Sequence, residues 1–320
     1  MQTDFELLKY LNVFKNLCYS HLRLTLDVNN KDFCMYQLML FNDDYDCLND
    51  INRCIKFCKD CNINSIEDVT NILAGHINSY KSIITTYKTH VDFANLYDTE
   101  TKISKDNMFV KLDSNKTYLS IDLRHAYSQY ADTLNIMSNK FDTAVIDTLP
   151  HEYLKELKKI RIFIYHQCLS YIHDNNILNM LLTILKSDHQ IINKLNELHL
   201  APISYNIDEL VFDVTDYVDV FKQYVGMHKI NNYEAKVMLF VPHKVTYLDP
   251  ESNKECNINI RYNIMTRKNY IANRTCKYMC QIYKAYKNLP LGDYDLYVPN
   301  SDNPNVFYKM PEPIKIINVE

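Results

Sequence analysis

Apolar residues recur with helical spacing through most of residues 1–95. Within this part, Ser65 and Asp68 stand three residues apart, which is the spacing of an N-terminal capping box. The helix that they open is predicted to run to about His90 because the apolar positions continue that far. The first part of the chain is therefore predicted to be a helical region.

The apolar spacing shortens after this region and alternates as in β-strands. Residues 108–123 predict a hairpin around a polar turn at 113–116. The elements predicted after it are a helix over about 124–137, basic helices between 151 and 198, strands over 203–214, 235–241 and 244–248, and a basic helix over about 269–289. Helices that precede and cross a mixed sheet predict an α+β fold. The predicted boundaries are a helical N-terminal region at 1–95, an α+β domain at 96–250, and a basic helical segment with a tail at 251–320.

Glycine is scarce, and its scarcity excludes several kinds of site. The chain has 3 glycines in 320 residues, where an average soluble protein of this length has roughly 22. Phosphate-binding loops and dinucleotide fingerprints need several glycines within about 8 residues, because only glycine lets the backbone close on a phosphate. The glycines here lie far apart, so neither motif is present. The richness in Asn, Ile, Lys and Tyr is typical of an AT-rich genome and favours a viral or phage source.

The net charge of −4 conceals a basic segment. Residues 251–290 contain eight basic and two acidic residues, and five tyrosines are interleaved with them. Because basic groups neutralise phosphates and aromatic faces stack on bases, this segment is predicted to bind nucleic acid. The residues predicted to make the contact are Arg267, Lys268, Arg274 and Lys277. A solvated helix face in a tyrosine-rich protein is the alternative.

The cysteines and the apolar stretches indicate the compartment. The ten cysteines are unevenly scattered, as free thiols are. Four of them lie along one face of a predicted helix, which favours core packing over an iron–sulfur cluster: Cys47, Cys54, Cys58 and Cys61. No apolar stretch is long enough to span a membrane, and the N-terminus lacks a signal-peptide pattern. We therefore expect an intracellular protein with no membrane partner, in the host cytoplasm if the source is viral or phage.

Carboxylates stand at the end of one predicted strand and inside the pattern of another. Asp122 follows the apolar stretch at 118–121 and leads into a helix, and Asp208 with Glu209 interrupts the strand pattern of 203–214. Carboxylates between apolar runs destabilise a fold unless something neutralises them, and Mg²⁺ prefers such hard oxygen ligands. With substrate phosphates, the two sites could hold magnesium ions that activate a 3′-hydroxyl and stabilise leaving pyrophosphate. A tight turn with exposed acids is the alternative at each position.

These residues resemble motifs A, C and D of palm-type nucleic-acid polymerases. Motif C is similar to those of family A DNA polymerases and of reverse transcriptases, and motif D to that of reverse transcriptases. The stretches that carry the resemblance are Asp122-Leu-Arg-His-Ala-Tyr127 for motif A, Asp208-Glu209 for motif C, and Gly226-Met-His-Lys-Ile-Asn231 with Lys236 for motif D. The first stretch is also similar to a group of uncharacterised phage-encoded proteins. The resemblance covers about residues 117–248.

The resemblance implies a Mg²⁺-dependent nucleotidyltransferase that extends a nucleic-acid chain from nucleoside triphosphates. It implies a palm-like domain at 96–250 and a thumb-like segment at 251–320. Asp122 and Asp208 would be the metal ligands, Glu209 an accessory catalytic carboxylate, and Lys236 a general acid toward pyrophosphate. The residues implied to contact the incoming triphosphate are Lys155, Lys158, Arg161 and Tyr127.

Departures from the polymerase pattern keep other functions open. Motif C has Asp-Glu where reverse transcriptases have Asp-Asp, and the small-residue pattern of motif B is absent. A non-catalytic viral nucleic-acid-binding or assembly protein on a degenerate palm, acting with viral partner subunits, is therefore an alternative. A metal-dependent nuclease is a second alternative, because Asp213 with Glu234-Ala-Lys236 matches the Asp…Glu-x-Lys signature of restriction-like nucleases.

Overall fold

The computed structural model describes residues 9–17, 25–80, 111–134, 139–169, 172, 174–271 and 276–320. Its first part is helical, as predicted: residues 9–17 are followed by α1 (Lys31–Leu40), α2 (Asn42–Tyr45), α3 (Cys47–Asp60) and α4 (Ile66–Ser79). The capping box is present, because the Ser65 side chain accepts the Asp68 N–H and the Asp68 carboxylate accepts the Ser65 N–H. The predicted continuation of α4 to about His90 lies outside the described residues.

The cysteines of α3 pack into the core. Cys47, Cys54 and Cys58 are buried among apolar side chains, and Cys61 stands half-buried at the end of the helix. The prediction of core packing is therefore confirmed. No helix in the described part of the chain is long and apolar enough to cross a membrane.

Further helices surround the strands of the second part. In chain order they are α5 (Ala126–Thr133), a π-helical turn (Asp142–Ile146), α6 (Glu152–Glu156), α7 (Lys158–Cys168), α8 (Asp174–Leu185), α9 (Gln190–Glu197), α10 (Val218–Lys222) and α11 (Met279–Tyr286). Among the described residues, the helices predicted over 124–137 and within 151–198 are confirmed. Helices and a sheet in separate stretches of one chain make the fold α+β.

Eight strands form one sheet in the order β2-β3-β1-β5-β6-β7, with β4 and β10 paired to β5. The strands are β1 (Tyr118–Leu123), β2 (Ser204–Asn206), β3 (Glu209–Asp213), β4 (Gly226–Ile230), β5 (Tyr233–Asp249), β6 (Lys254–Asn263), β7 (Lys268–Ile271) and β10 (Lys315–Val319). Two further strands, β8 (Tyr297–Pro299) and β9 (Phe307–Lys309), pair with each other. Every described pairing is antiparallel, whereas a mixed sheet was predicted. Four of the pairings join consecutive strands through short turns, and such turns permit only antiparallel neighbours.

Strand β5 connects two halves of the sheet. Its first half, residues 233–240, pairs with β1 and β4, and its second half, residues 240–249, pairs with β6 and β10. The pattern predicts two strands here, at 235–241 and 244–248, but the structure contains one continuous strand. The strand can run unbroken because a new neighbour takes up its backbone hydrogen bonds where the first one ends.

Two predicted elements differ from the structure. Residues 111–117 form a loop with a turn, so only β1 of the predicted hairpin over 108–123 is a strand among the described residues. The basic helix predicted over 269–289 is wrong: β7 occupies its first residues, and α11 covers only Met279–Tyr286. Sheet pairing of β7 with β6 overrides the helical spacing, because strand formation depends on the neighbours that a segment finds.

Side chains alternate between two faces of the sheet around β1. Leu119, Ile121 and Leu123 pack into the main core beneath the helices. Tyr118 points to the opposite face, where it packs with Val211 and Phe240 in a smaller cluster. Because successive strand residues alternate, Ser120 and Asp122 share this second face with Tyr118. We call it the open face.

Candidate active site

Asp122 and Asp208 lie on neighbouring segments at one end of the open face. The Cα of Asp122 is paired with that of Glu209 in β3 and with that of Lys236 in β5. Asp208 occupies the turn between β2 and β3, and its carbonyl oxygen accepts a hydrogen bond of 2.8 Å from the Leu123 N–H. The structure therefore brings together the four residues predicted to be catalytic.

The Asp122 and Asp208 carboxylates form no hydrogen bond or ion pair with another side chain in the part of the chain that the structure describes. Burial, reinforced by the negative charges of Asp208 and Glu209, raises the pKa of Asp122 to about 7, against the opposing charges of Lys158 and Lys236. Burial also raises the pKa of Asp208. A carboxyl pair held in this way is poised to accept a cation.

Glu209 has a different environment, because donors surround its carboxylate. Arg261 donates two hydrogen bonds to it, of 2.6 Å to Oε1 and 3.0 Å to Oε2. Ser120 Oγ donates to Oε1 at 2.5 Å, and Asn206 Nδ2 donates to Oε2 at 2.6 Å. Burial favours the protonated form of Glu209, but the charge of Arg261 and these hydrogen bonds outweigh it and lower the pKa. Glu209 is therefore a buried anion whose oxygens are engaged within the protein.

The basic residues predicted to contact a triphosphate differ in position. Lys158, the first residue of α7, is exposed, and its positive charge lowers the pKa of both Asp122 and Asp208. Lys155 instead pairs with Glu152 at 2.5 Å. Arg161 donates to the carbonyls of Lys155 and Glu156 at 3.1 and 3.0 Å. Of these three residues, Lys158 is the one whose charge acts on the carboxylate pair.

Tyr127 connects the site to an acidic residue that sequence reasoning missed. The Tyr127 hydroxyl donates a hydrogen bond of 2.6 Å to Asp174 at the start of α8. The charge of Asp174 contributes to the raised pKa of Asp208. Asp174 is remote from the other carboxylates in sequence and opens an ordinary amphipathic helix, so no sequence pattern could have identified it.

A groove with a cavity volume of about 1120 Å³ extends from Asp208 and Glu209 along the open face, and Asp122 is not among its lining residues. Its lining includes Lys111, Asn206, Asp208, Glu209, Lys236, Met238, Phe240, His243, Lys244, Asn259, Arg261 and Tyr270. The Arg261 guanidinium stacks on the Phe240 ring, 4.6 Å from its centroid. The sequence signal for this surface is the alternation along β6, where Asn259 and Arg261 flank the buried Ile260.

The residues predicted to bind nucleic acid lie away from this groove. Arg267 is exposed in the turn between β6 and β7, and Lys268 begins β7. Lys277 forms an ion pair with Glu251 near the far end of the β5–β6 hairpin. None of these three lines the groove, and Arg274 lies outside the described residues.

The residues of the nuclease signature do not meet. The Cα of Asp213 is paired with that of Tyr118 at the start of β1, and the Asp213 carboxylate pairs with Lys116 at 2.7 Å. Glu234 lies beyond the other end of β1, next to the pair formed by Leu123 and Ala235. The length of β1 separates the two acids by roughly 17 Å. The structure therefore does not assemble Asp213 and Glu234 into one site.

The carboxylate pair suits magnesium, although no larger ligand cluster accompanies it. Within the described ranges, no group of three or more His, Cys, Asp or Glu side chains is arranged to hold a metal ion. Mg²⁺ often takes only one or two carboxylates and completes its shell with water and substrate phosphates. Two partly buried carboxylates that bond to no other described side chain meet that requirement, whereas the engaged oxygens of Glu209 do not.

The raised pKa of Asp122 makes a prediction about stability. Between about pH 4 and 7 the folded state binds a proton that the unfolded state has lost, so the free energy of unfolding falls as the pH rises through this window. Asp122→Asn removes the charge, and we expect it to be more stable than the wild type by about 1–2 kcal/mol at pH 8. The difference should vanish near pH 4. Urea denaturation with EDTA at both pH values measures it, and equal stability at pH 8 would contradict the burial of this charge.

Comparisons of this chain with protein-family models, with curated proteins and with solved structures found no match. No relative therefore supplies a ligand, a partner or a residue role. The functional conclusion depends on the geometry and charge of the site itself.

Proposed function

We propose that this protein is a Mg²⁺-dependent nucleotidyltransferase of the palm polymerase type, which adds nucleotides from triphosphates to a nucleic-acid chain. The observation that carries the proposal is that Asp122 and Asp208, at one end of two adjacent strands, have carboxylates that bond to no other side chain in the described part of the chain. The strand order β2-β3-β1-β5, with Leu119, Ile121 and Leu123 of β1 in the main core and Asp122 on the opposite face, supports a palm-like domain. A viral or phage source rests on the composition alone.

Each residue of the site has a role in this proposal. Asp122 and Asp208 would hold the metal ion, which when bound activates the attacking hydroxyl and neutralises charge on the phosphates. Lys158 would attract the triphosphate by its positive charge. Lys236, exposed opposite Asp122, would donate a proton to the leaving pyrophosphate. The groove along β5 and β6 would hold the nucleic-acid strand that ends at the carboxylates.

Nucleotide incorporation tests the proposal directly. Purified protein is incubated with Mg²⁺, labelled primers on DNA and RNA templates, and either set of nucleoside triphosphates. We expect primer extension that EDTA abolishes. Shortening of the labelled strand instead of extension would favour a metal-dependent nuclease. An unchanged strand under all conditions would contradict the proposal.

A non-catalytic nucleic-acid-binding or assembly protein is the second candidate function. It is favoured by the part of the groove beyond the carboxylates, where half-buried aromatic side chains and an exposed amide line the cavity: His243, Tyr270 and Asn259. Such side chains stack on bases and contact them whatever the state of the carboxylates. Salt-dependent binding of single strands without incorporation would support this candidate. In this candidate function, the protein could also act together with viral partner subunits.

Lys158 is expected to contribute to triphosphate binding. Lys158→Ala should raise the KM for the nucleoside triphosphate about tenfold with a smaller change in kcat, because a surface charge acts on bound substrate and transition state alike. Lys159→Ala is the matched control, since Lys159 donates to the Asn16 carbonyl instead. Steady-state primer extension measures both constants. Equal KM values for the two variants would show that Lys158 does not contribute to triphosphate binding.

A further inference from the structure

The pair of Glu209 and Arg261 spans the open face of the sheet. Glu209 begins β3 and Arg261 lies in β6, and the sheet order places β1 and β5 between these strands. The Arg261 side chain crosses over Phe240 to make its two hydrogen bonds with the Glu209 carboxylate. The Arg261 side chain therefore connects the groove with the carboxylate site across two strands.

Glu209 also contacts a residue of a strained turn. Ile207 has a φ of 25°, a region that β-branched residues rarely adopt. The Asn206 side chain bridges this turn by donating to Glu209 Oε2 at 2.6 Å. Asp208 is the residue between the strained isoleucine and the paired glutamate. The direction of the Asp208 carboxylate therefore depends on a turn that the Glu209 network stabilises.

Charge gives the pair a second effect. Asp122, Asp208 and Glu209 bring three carboxylates together, and the charge of Glu209 acts on Asp122. Arg261 neutralises one of the three and occupies both of its oxygens. Glu209 without Arg261 would be a third unpaired carboxylate beside the other two and would compete for the same cation.

We infer that Arg261 is a positioning residue: by pairing with the Glu209 carboxylate, it withdraws Glu209 from the metal ligands. The inference deepens the proposed function and rests on it in taking Asp122 and Asp208 as the ligands. It gives Glu209 a structural role in place of the accessory catalytic role that the polymerase resemblance implies.

Metal binding tests the inference without reference to catalysis. Mn²⁺ serves as the probe, and its affinity for the full chain is measured by calorimetry. We expect Asp208→Asn to weaken Mn²⁺ binding about tenfold or more, and Glu209→Gln to change it less than about threefold. Arg261→Met should strengthen Mn²⁺ binding about threefold, because it frees a carboxylate. The double variant Glu209→Gln/Arg261→Met removes that carboxylate and should return the affinity to the wild-type value.

Two further variants control for folding and geometry. Arg53→Met removes an arginine that also pairs with a glutamate, Glu156, and stacks on a ring, Tyr153, outside the site, and it should leave Mn²⁺ affinity unchanged. Arg261→Lys keeps the charge but cannot form the two-bond contact, and its Mn²⁺ affinity should lie between those of the wild type and Arg261→Met. If Arg261→Met does not fold, the Mn²⁺ affinities of Arg261→Lys and of the double variant still test the inference.

The outcomes separate failure of the inference from failure of the proposed function. The inference would be overturned if Glu209→Gln lost as much Mn²⁺ affinity as Asp208→Asn. Unchanged Mn²⁺ affinity in Arg261→Met would also overturn it, and so would the absence of Mn²⁺ binding to the wild type. Primer extension is the second measurement. Arg261→Met should lower nucleotide incorporation about tenfold, and the double variant should restore it. The expected Mn²⁺ pattern without any primer extension would refute polymerase activity and leave the role of Arg261 standing.

Discussion

Asp208→Asn is expected to lower nucleotide incorporation about 1,000-fold, and Asp122→Asn to lower it by a similar factor. Asparagine keeps the shape of the side chain but removes the charge that binds the cation. Neither carboxylate forms a hydrogen bond or ion pair with another side chain within the described residues, and the backbone hydrogen bond that Asp208 accepts from its own N–H can also be accepted by an asparagine oxygen. Single-turnover primer extension at saturating Mg²⁺ measures the loss, and circular dichroism verifies the fold.

Asp213→Asn provides the matched control for this experiment. Asp213 lies in the strand that begins at Glu209, but at its opposite end, where it pairs with Lys116. We expect incorporation by this variant to remain within about twofold of the wild type, since its charge is remote from the site. Equal incorporation by wild type, Asp122→Asn and Asp208→Asn would show that any activity of the protein arises elsewhere.

Arg261→Met is expected to lower the free energy of unfolding by about 3 kcal/mol or more. Glu209 is 7% exposed, and removal of its cationic partner leaves a buried negative charge with only Ser120 and Asn206 as donors. Chemical denaturation at pH 7 measures the change. The effect should shrink as the pH falls from the ordinary pKa of a glutamate toward the lowered pKa of Glu209 in the folded wild type, because the unfolded chain is then protonated at Glu209 and the ion pair stabilises the folded wild type less.

Addition of Glu209→Gln to Arg261→Met provides the control for the stability experiment. In Glu209→Gln/Arg261→Met no buried charge remains, so most of the lost stability should return. Arg53→Met, which breaks a more exposed pair, should reduce stability by less than about 1 kcal/mol. A loss in Arg261→Met no larger than that of Arg53→Met would mean that the Glu209 carboxylate gains access to water when its partner is removed.

The sequence identified the carboxylates but could not separate their roles. Asp208 and Glu209 are adjacent, and each interrupts the same apolar pattern. What distinguishes them is Arg261, whose approach depends on the pairing of four strands. Such a contact has no local signature, because register and strand order are set by the whole sheet. Asp174 was missed for the same reason.

The basic segment shows a different limit of sequence reasoning. Its charge was counted correctly, but Arg267, Lys268 and Lys277 were predicted to contact nucleic acid together because they lie in one basic segment of the sequence. The structure divides these residues between a turn, a strand and the start of a helical stretch. By contrast, Ser65 and the cysteines of α3 were predicted well, because a capping box and a helical face are local patterns that need no distant partner.

The spacing of residues along strand β5 sets the distance between two contacts of the site. Lys236 stands opposite Asp122, and six residues further along the strand Pro242 stands opposite Arg261. An even spacing keeps both contacts on the open face, and insertion or deletion of one residue between them would turn one contact to the core side. The span from Lys236 to Pro242, roughly 20 Å of extended chain, therefore cannot change by one residue without separating the two ends of the site.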